Sequence, residues 1–151
     1  MDIKSKTIYI STNNFLTTIK KIGEVLKKEN LNVVDINQGK KLDIYDASVM
    51  VAEKVSNDPE KNVGIIIDEY GNGGFMVAAK FKGTIVAQLG DEHSAHMTRG
   101  HNNTNIITLG ADLTAEKQII KIIKRFLFAK FEGGRHMVRI DMLEEMLKGD
   151  K

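Results

Sequence analysis

The stretch Gly64–Gly83, GIIIDEYGNGGFMVAAKFKG, decides the fold. Val63–Ile67 is a short β-branched apolar run with no polar alternation, the pattern of a strand covered on both faces. A polar turn rich in glycine follows, and the spacing of Phe75–Phe81 predicts a short helix starting near Gly74. Gly71, Gly73 and Gly74 let the backbone approach a ligand closely and aim its amides at negative charge, which makes an anion cradle. A tight strand-to-helix turn would use the same glycines. No Gly-Lys-Ser/Thr completes a Walker loop, and the turn follows the third strand with the wrong spacing for a dinucleotide fingerprint.

The same alternation continues on both sides. Thr7–Ile10, Val33–Ile36, Thr84–Leu89 and Asn105–Leu109 are further short apolar runs bounded by turn residues. Phe15, Ile19, Ile22 and Leu26 place one apolar stripe on a helix, and Ala47, Val51 and Val55 a second. Ile119–Phe131 predicts a longer helix that Thr114 would cap, and a final helix would carry Ile140, Leu143 and Leu147 inward. The expectation is an α/β, doubly wound, Rossmann-like domain: a five-stranded, mainly parallel sheet with helices on both faces. Ligands of such folds sit beyond the carboxyl ends of the strands. That directs attention to Ser11–Asn14, Asn37–Asp46, Asp68–Gly74, Gly90–Asn103 and Gly110–Thr114.

At 151 residues the chain has the size of one domain, and 42% hydrophobic with 28% charged residues fits a globular protein. No apolar stretch has the length of a membrane span, and the start, MDIKSKTIYI, lacks a signal-peptide core, so the expected address is cytoplasmic, with no membrane partner. A net charge of +2, spread over helix faces, gives no support for nucleic acid. The cluster Lys117, Lys121, Lys124, Arg125 and Lys130 reads as the solvated side of an amphipathic helix. With no cysteine, the chain has no disulfide, thiolate nucleophile or cysteine metal site of its own.

Two further segments carry chemistry. DEHSAHMTRGHNNTN, residues 91–105, gathers His93, His96 and His101, but no HExxH motif, and no metal is expected. His101 is the better candidate, because imidazole titrates near neutrality and suits proton transfer at a sugar ring oxygen. Asn102 beside it offers amide donors and an acceptor for hydroxyls. In FEGGRHMVRIDMLEEM, residues 131–146, a helix beginning after the glycines puts Arg135 and Arg139 on one face near its amino end. Two guanidinium groups so placed can hold a phosphate. Ion pairs with Glu132 or Asp141 would be the structural alternative.

Together, in this order and spacing, the three segments resemble the family of ribose-5-phosphate isomerase type B and galactose-6-phosphate isomerase, and within it the A-type subunits of the latter. The match covers roughly Asn62 to Leu147; the first 40 residues follow mainly the βα pattern. The resemblance implies that residues 1–151 form a single sugar-phosphate isomerase domain. It implies a dimer-based assembly, active sites at the subunit boundary, and isomerisation through an enediol with no cofactor. It further implies that His101 assists ring opening, that Asn102 contacts substrate, and that Arg135 and Arg139 contact the phosphate.

The departures from self-sufficient members matter more. Where those carry a cysteine base followed by Gly-Thr-Gly, this chain reads Asp68, Glu69, Tyr70, Gly71; where they carry Asp-His, it reads Asn13-Asn14. The expectation is a subunit of a heteromeric isomerase interconverting galactose 6-phosphate and tagatose 6-phosphate, with a B-type subunit supplying the cysteine base. Tyr70, Gly71 and Gly73 are expected to contact substrate as well. Asp68 as catalytic base would instead make a homomeric isomerase. A non-catalytic sugar-phosphate-binding scaffold is the third reading.

Overall fold

The computed structural model describes residues 2–149. After a short 3₁₀ turn at Ile3–Ser5, strands β1 (Thr7–Thr12), β2 (Asn32–Asp35), β3 (Asn62–Asp68), β4 (Val86–Gln88) and β5 (Ile106–Gly110) pair in the order β2-β1-β3-β5-β4, every pairing parallel. Parallel neighbours need crossover helices, and these are α1 (Leu16–Lys28), α2 (Ile44–Asn57), α3 (Asn72–Ala78) and α4 (Glu92–Asn102), followed by α5 (Glu116–Phe128) and α6 (Arg135–Gly149). The doubly wound α/β architecture expected from the sequence is present.

β3 is the middle strand, and its apolar run serves both layers. Ile65 and Ile67 join Ile19, Ile22 and Leu26 of α1 and Ile119, Ile122 and Phe126 of α5 on one face. Ile66 joins Val51, Ala52 and Val55 of α2 and Ala78 of α3 on the other. Gly64 is glycine because α2 lies so close: a Cβ there would sit 2.5 Å from Cγ1 of Val51. Valine is stiff at χ1, so α2 itself would have to move. Gly64→Ala is expected to cost about 1–3 kcal/mol, read as a lowered urea midpoint with an unchanged m-value.

Four elements differ from the sequence reading. Helix α3 begins at Asn72 and ends at Ala78, earlier than Phe75–Phe81, because Asp68 supplies acceptors to its first turn from the end of β3. Thr114 does not cap α5; Ala115 occupies that position in an extended conformation without a side-chain cap. The segment read as a strand exit, Gly90–Asn103, is mostly helix. Asp91 accepts from Ser94 N (2.7 Å) and Ser94 Oγ (2.8 Å) to start α4, and Asn103, at φ 55°, stops it. Finally, α6 does not turn Leu143 inward: Ile140 is half-buried, but Leu143 is 60% exposed, and the side chain of Leu147 lies outside the described residues. No described helix is long and apolar enough to cross a membrane.

Candidate functional site

Apart from His93 and His96, the residues singled out in the sequence fall into two groups at opposite ends of the sheet's strands. The first lies where β1 and β3 end side by side, at the switch point from which the chain winds in both directions. Asp68 closes β3 and is 4% exposed. Its Oδ1 accepts from the Gly71 amide and its Oδ2 from the Gly74 amide, at 3.2 Å. The glycine loop does form an anion cradle, with Gly71 at φ 82°, but the anion in it is the chain's own carboxylate. Burial raises the Asp68 pKa and the neighbouring Glu69 charge adds to this, against the amides of Gly74, Gly71 and Gly73, which favour ionisation.

The loop is pinned from outside as well. Thr108 Oγ1 donates to Gly71 O at 2.8 Å, and Gln88 Nε2 donates to Tyr70 O at 2.7 Å. A Cβ on Gly110 would meet the Tyr70 backbone at 2.6 Å, so β5 presses directly on the turn. The Tyr70 side chain is 55% exposed over the crevice. Gly73 sits in the first turn of α3, 3.2 Å from Asp68 Oδ2 by its would-be Cβ.

Glu69 closes the crevice on the other side. Asn13 Nδ2 donates to both of its oxygens at 2.9 Å and Asn14 Nδ2 to one at 3.0 Å. The Asn13 bond is the chief reason that its pKa is held below the usual carboxylate range, so the contact stabilises the fold above that range and is lost as pH falls through the lowered value. Asn13→Asp replaces that donor with a second carboxylate. We expect it to destabilise the chain by on the order of 1–2 kcal/mol at pH 7 and to recover as acid protonates the pair, the reverse of the parent's trend. Thermal unfolding of both chains between pH 4 and 8 measures this.

The second group lies where α4 ends and α6 begins. A cavity of about 180 Å³ is lined by His101, Asn102, His136, Arg139, Ile140 and Leu143. The His101 and His136 rings stack, with centroids 4.1 Å apart and planes 10° from parallel. Glu132 Oε2 lies 3.7 Å from Nε2 of each, and the Glu132 amide is tied to Gly100 O at 2.9 Å. Burial lowers the His136 pKa first, followed by repulsion from His101, Arg135 and Arg139, with Glu132 opposing. Arg139 reaches the cavity; Arg135 does not line it. Both arginines are exposed, and among the described residues neither ion-pairs with Glu132 or Asp141.

His93 and His96 stay on α4 and do not join this group. The donors that converge are instead His101, Glu132 and His136, with ligand atoms within 4.8 Å of one another. Nearly parallel rings send their nitrogen lone pairs side by side, so a shared cation would require one ring to turn. Glu132 entered the sequence reading only as an ion-pair partner for arginine, and His136 not at all. Their signal was the run Glu-Gly-Gly-Arg-His, in which a helix start brings both toward the end of α4.

The two groups do not meet within one chain. Asp68 pairs in register with Gly110, the last residue of β5, whereas His101 and Asn102 precede Ile106, its first. The two groups thus adjoin opposite ends of β5, whose five residues span roughly 13 Å at 3.3 Å per residue. Among the described residues no hydrogen bond or shared cavity links them.

Fold and side chains together define a parallel α/β protein with polar clusters at the two ends of its strands. The chain belongs to the ribose/galactose isomerase family, whose model matches residues 8–143. It is 50% identical over 121 residues to galactose-6-phosphate isomerase subunit LacA of Streptococcus mutans, covering 80% of this chain and 84% of that one. It is 44% identical over 131 residues to the LacA subunit of Staphylococcus aureus, covering 84% and 92%. The structure of ribose-5-phosphate isomerase B from Mycoplasma genitalium with bound ribulose-5-phosphate superposes with TM-score 0.91 at 37% identity, covering 95% of this chain and 97% of that one. The Clostridium thermocellum ribose-5-phosphate isomerase B gives TM-score 0.87 at 30% identity, covering 96% and 99%. These relatives are sugar-phosphate isomerases.

Proposed function

We propose that this chain is the A-type subunit of a heteromeric isomerase interconverting galactose 6-phosphate and tagatose 6-phosphate, and that it lends His101 and Asn102 to a site completed by a cysteine-bearing B-type subunit. The observation that carries the reading is the placement of His101 and the glycine loop at opposite ends of the strands of one sheet. A single chain cannot present both to one small sugar, but an imidazole from one subunit can face the loop of another. The names of the LacA relatives, each a subunit of galactose-6-phosphate isomerase, support the substrate and the need for a companion.

The chemistry divides accordingly. As the bond from carbon one to the ring oxygen breaks, His101 gives a proton to that oxygen and the anomeric hydroxyl loses its own, leaving the open aldose. The partner's thiolate then removes the proton on carbon two, a double bond forms between carbons one and two, and the carbonyl oxygen on carbon one takes up a proton. Loss of the proton from the oxygen on carbon two, with return of a proton to carbon one, gives the ketose. Asn102 hydrogen-bonds substrate hydroxyls, and Arg139, with Arg135 nearby, meets the phosphate. A redox cofactor has no step to perform in this sequence.

The self-sufficient alternative with Asp68 as base is disfavoured by its surroundings. Both oxygens already accept backbone amides, the group is buried, and the cradle amides that would steady an oxyanion are spent on it. The purified chain is expected to be inactive on galactose 6-phosphate, with activity appearing on mixing with a B-type subunit. Turnover by the chain alone that disappears in Asp68→Ala would replace this proposal with the homomeric mechanism, and silence in every mixture would leave only a binding role.

A further inference from the structure

A second and larger cavity, about 860 Å³, opens at the amino edge of the sheet, away from the glycine loop. Its walls include Lys6 ahead of β1, Glu60 ahead of β3, Arg99 on α4, Phe128 at the end of α5 and Phe131 beyond it. Lys6 is the unusual member, because it is only 6% exposed. Its ammonium makes no hydrogen bond or ion pair among the described residues. Since no sealed side-chain nitrogen or oxygen there lacks a partner, that ammonium must open onto the cavity.

Arg99 stands close by and is half-buried. It spends Nη1 on Asn103 Oδ1 (3.0 Å) and Thr104 O (2.8 Å), and among the described residues its other nitrogens make no hydrogen bond. Burial lowers the Lys6 pKa first, Arg99 lowers it further, and only Glu60 opposes, without approaching to form an ion pair. Burial lowers the Arg99 pKa as well. Asp2, the other acid on the wall, is engaged by the amide of Lys4 at 3.3 Å, and exposed Lys130 adds a third cation at the rim. Two neighbouring cations that are partly desolvated and that no carboxylate pairs directly are costly, and an anion seated between them relieves both the desolvation and the mutual repulsion.

We propose that this cavity is a binding site for a small phosphate monoester, its phosphate held between the Lys6 ammonium and the Arg99 guanidinium and its organic part lying toward Phe128 and Phe131. Two fixed positive charges match a group that carries close to two negative charges at neutral pH, and the guanidinium fork suits phosphate oxygens. The site is separate from the Arg139 cavity and uses none of its residues.

Inorganic phosphate is the probe, titrated calorimetrically into the purified chain carrying Arg139→Ala, so that the other arginine cavity does not contribute. Heat of binding is expected in phosphate against chloride at equal ionic strength, with affinity falling roughly tenfold or more in Lys6→Met or Arg99→Gln. Lys6→Met, which keeps the buried hydrocarbon and removes the charge, is also expected to melt no lower than its parent in chloride and to lose the upward shift that phosphate gives the parent. Absence of binding to the parent, or equal binding by Lys6→Met, would overturn the proposal. So would a lower melting temperature of Lys6→Met in chloride, which would mean that the ammonium is already compensated within the chain.

Discussion

His101→Ala, in this chain mixed with its B-type partner, is expected to reduce turnover of cyclic galactose 6-phosphate by roughly 10²- to 10⁴-fold, the range for loss of a positioned proton donor. The subunits should still assemble. The His101 side chain is a third exposed and stacks on His136 without reaching the apolar core, so its removal opens no cavity between sheet and helices. The Glu132 carboxylate lies 3.7 Å from Nε2 of both rings. The loss should fall on kcat more than on KM, because a proton transferred in the transition state contributes little to holding the intact sugar. Near-normal rates in the mixed enzyme would remove His101 from the mechanism, whereas failure to co-purify with the partner would point to a structural role.

Where residue spacing alone carries the information, the sequence is a good guide. The run at Val63–Ile67 has no polar face because Ile65 and Ile67 serve one helical layer and Ile66 the other, and its buried two-sided character is visible without coordinates. The stripes on α1 and α2 are equally local. What escapes such reading depends on where chain segments end up. Asp68 carries the residue type of a base, and only the folded loop shows its two oxygens facing the amides of Gly71 and Gly74. Thr114 is a good capping residue by type, yet its amide is used on Gly110 O and the helix begins two residues later.

The largest displacement concerns His101. The loop after β4 is indeed a strand exit, but Asp91 and Ser94 close a cap there and α4 then carries the chain back along the sheet, leaving His101 at the opposite end of the strands. The cap was legible as an Asp followed three residues later by Ser. Its consequence, that a histidine ten residues after Asp91 leaves the crevice altogether, follows only from running the helix out. Lys6 gave no local signal, since a lysine between Ser5 and Thr7 is ordinary until the flanking strands and α4 close around it.

Met142→Asp together with Met146→Asp is expected to separate the subunits and with them the activity, leaving the chain itself folded. Val138, Met142 and Met146 recur at every fourth residue of α6 and form one apolar stripe. They are 59%, 64% and 70% exposed, although α6 meets the rest of the chain mainly through α4. A stripe of that kind on the helix that carries Arg139 and adjoins His101 is where a partner subunit would complete the cavity. Burying a methionine side chain contributes about 1.5–3 kcal/mol, so loss of two weakens association by roughly 10²- to 10⁴-fold at 1.4 kcal/mol per decade. Burying two new carboxylates against an apolar surface weakens it further. Sedimentation of the mixed subunits should show the complex dissociating at micromolar concentration, while the melting temperature of the variant chain by itself stays near that of the parent. A complex that survives both substitutions with full turnover would place the subunit contact elsewhere, and with it the route by which His101 reaches a neighbouring site.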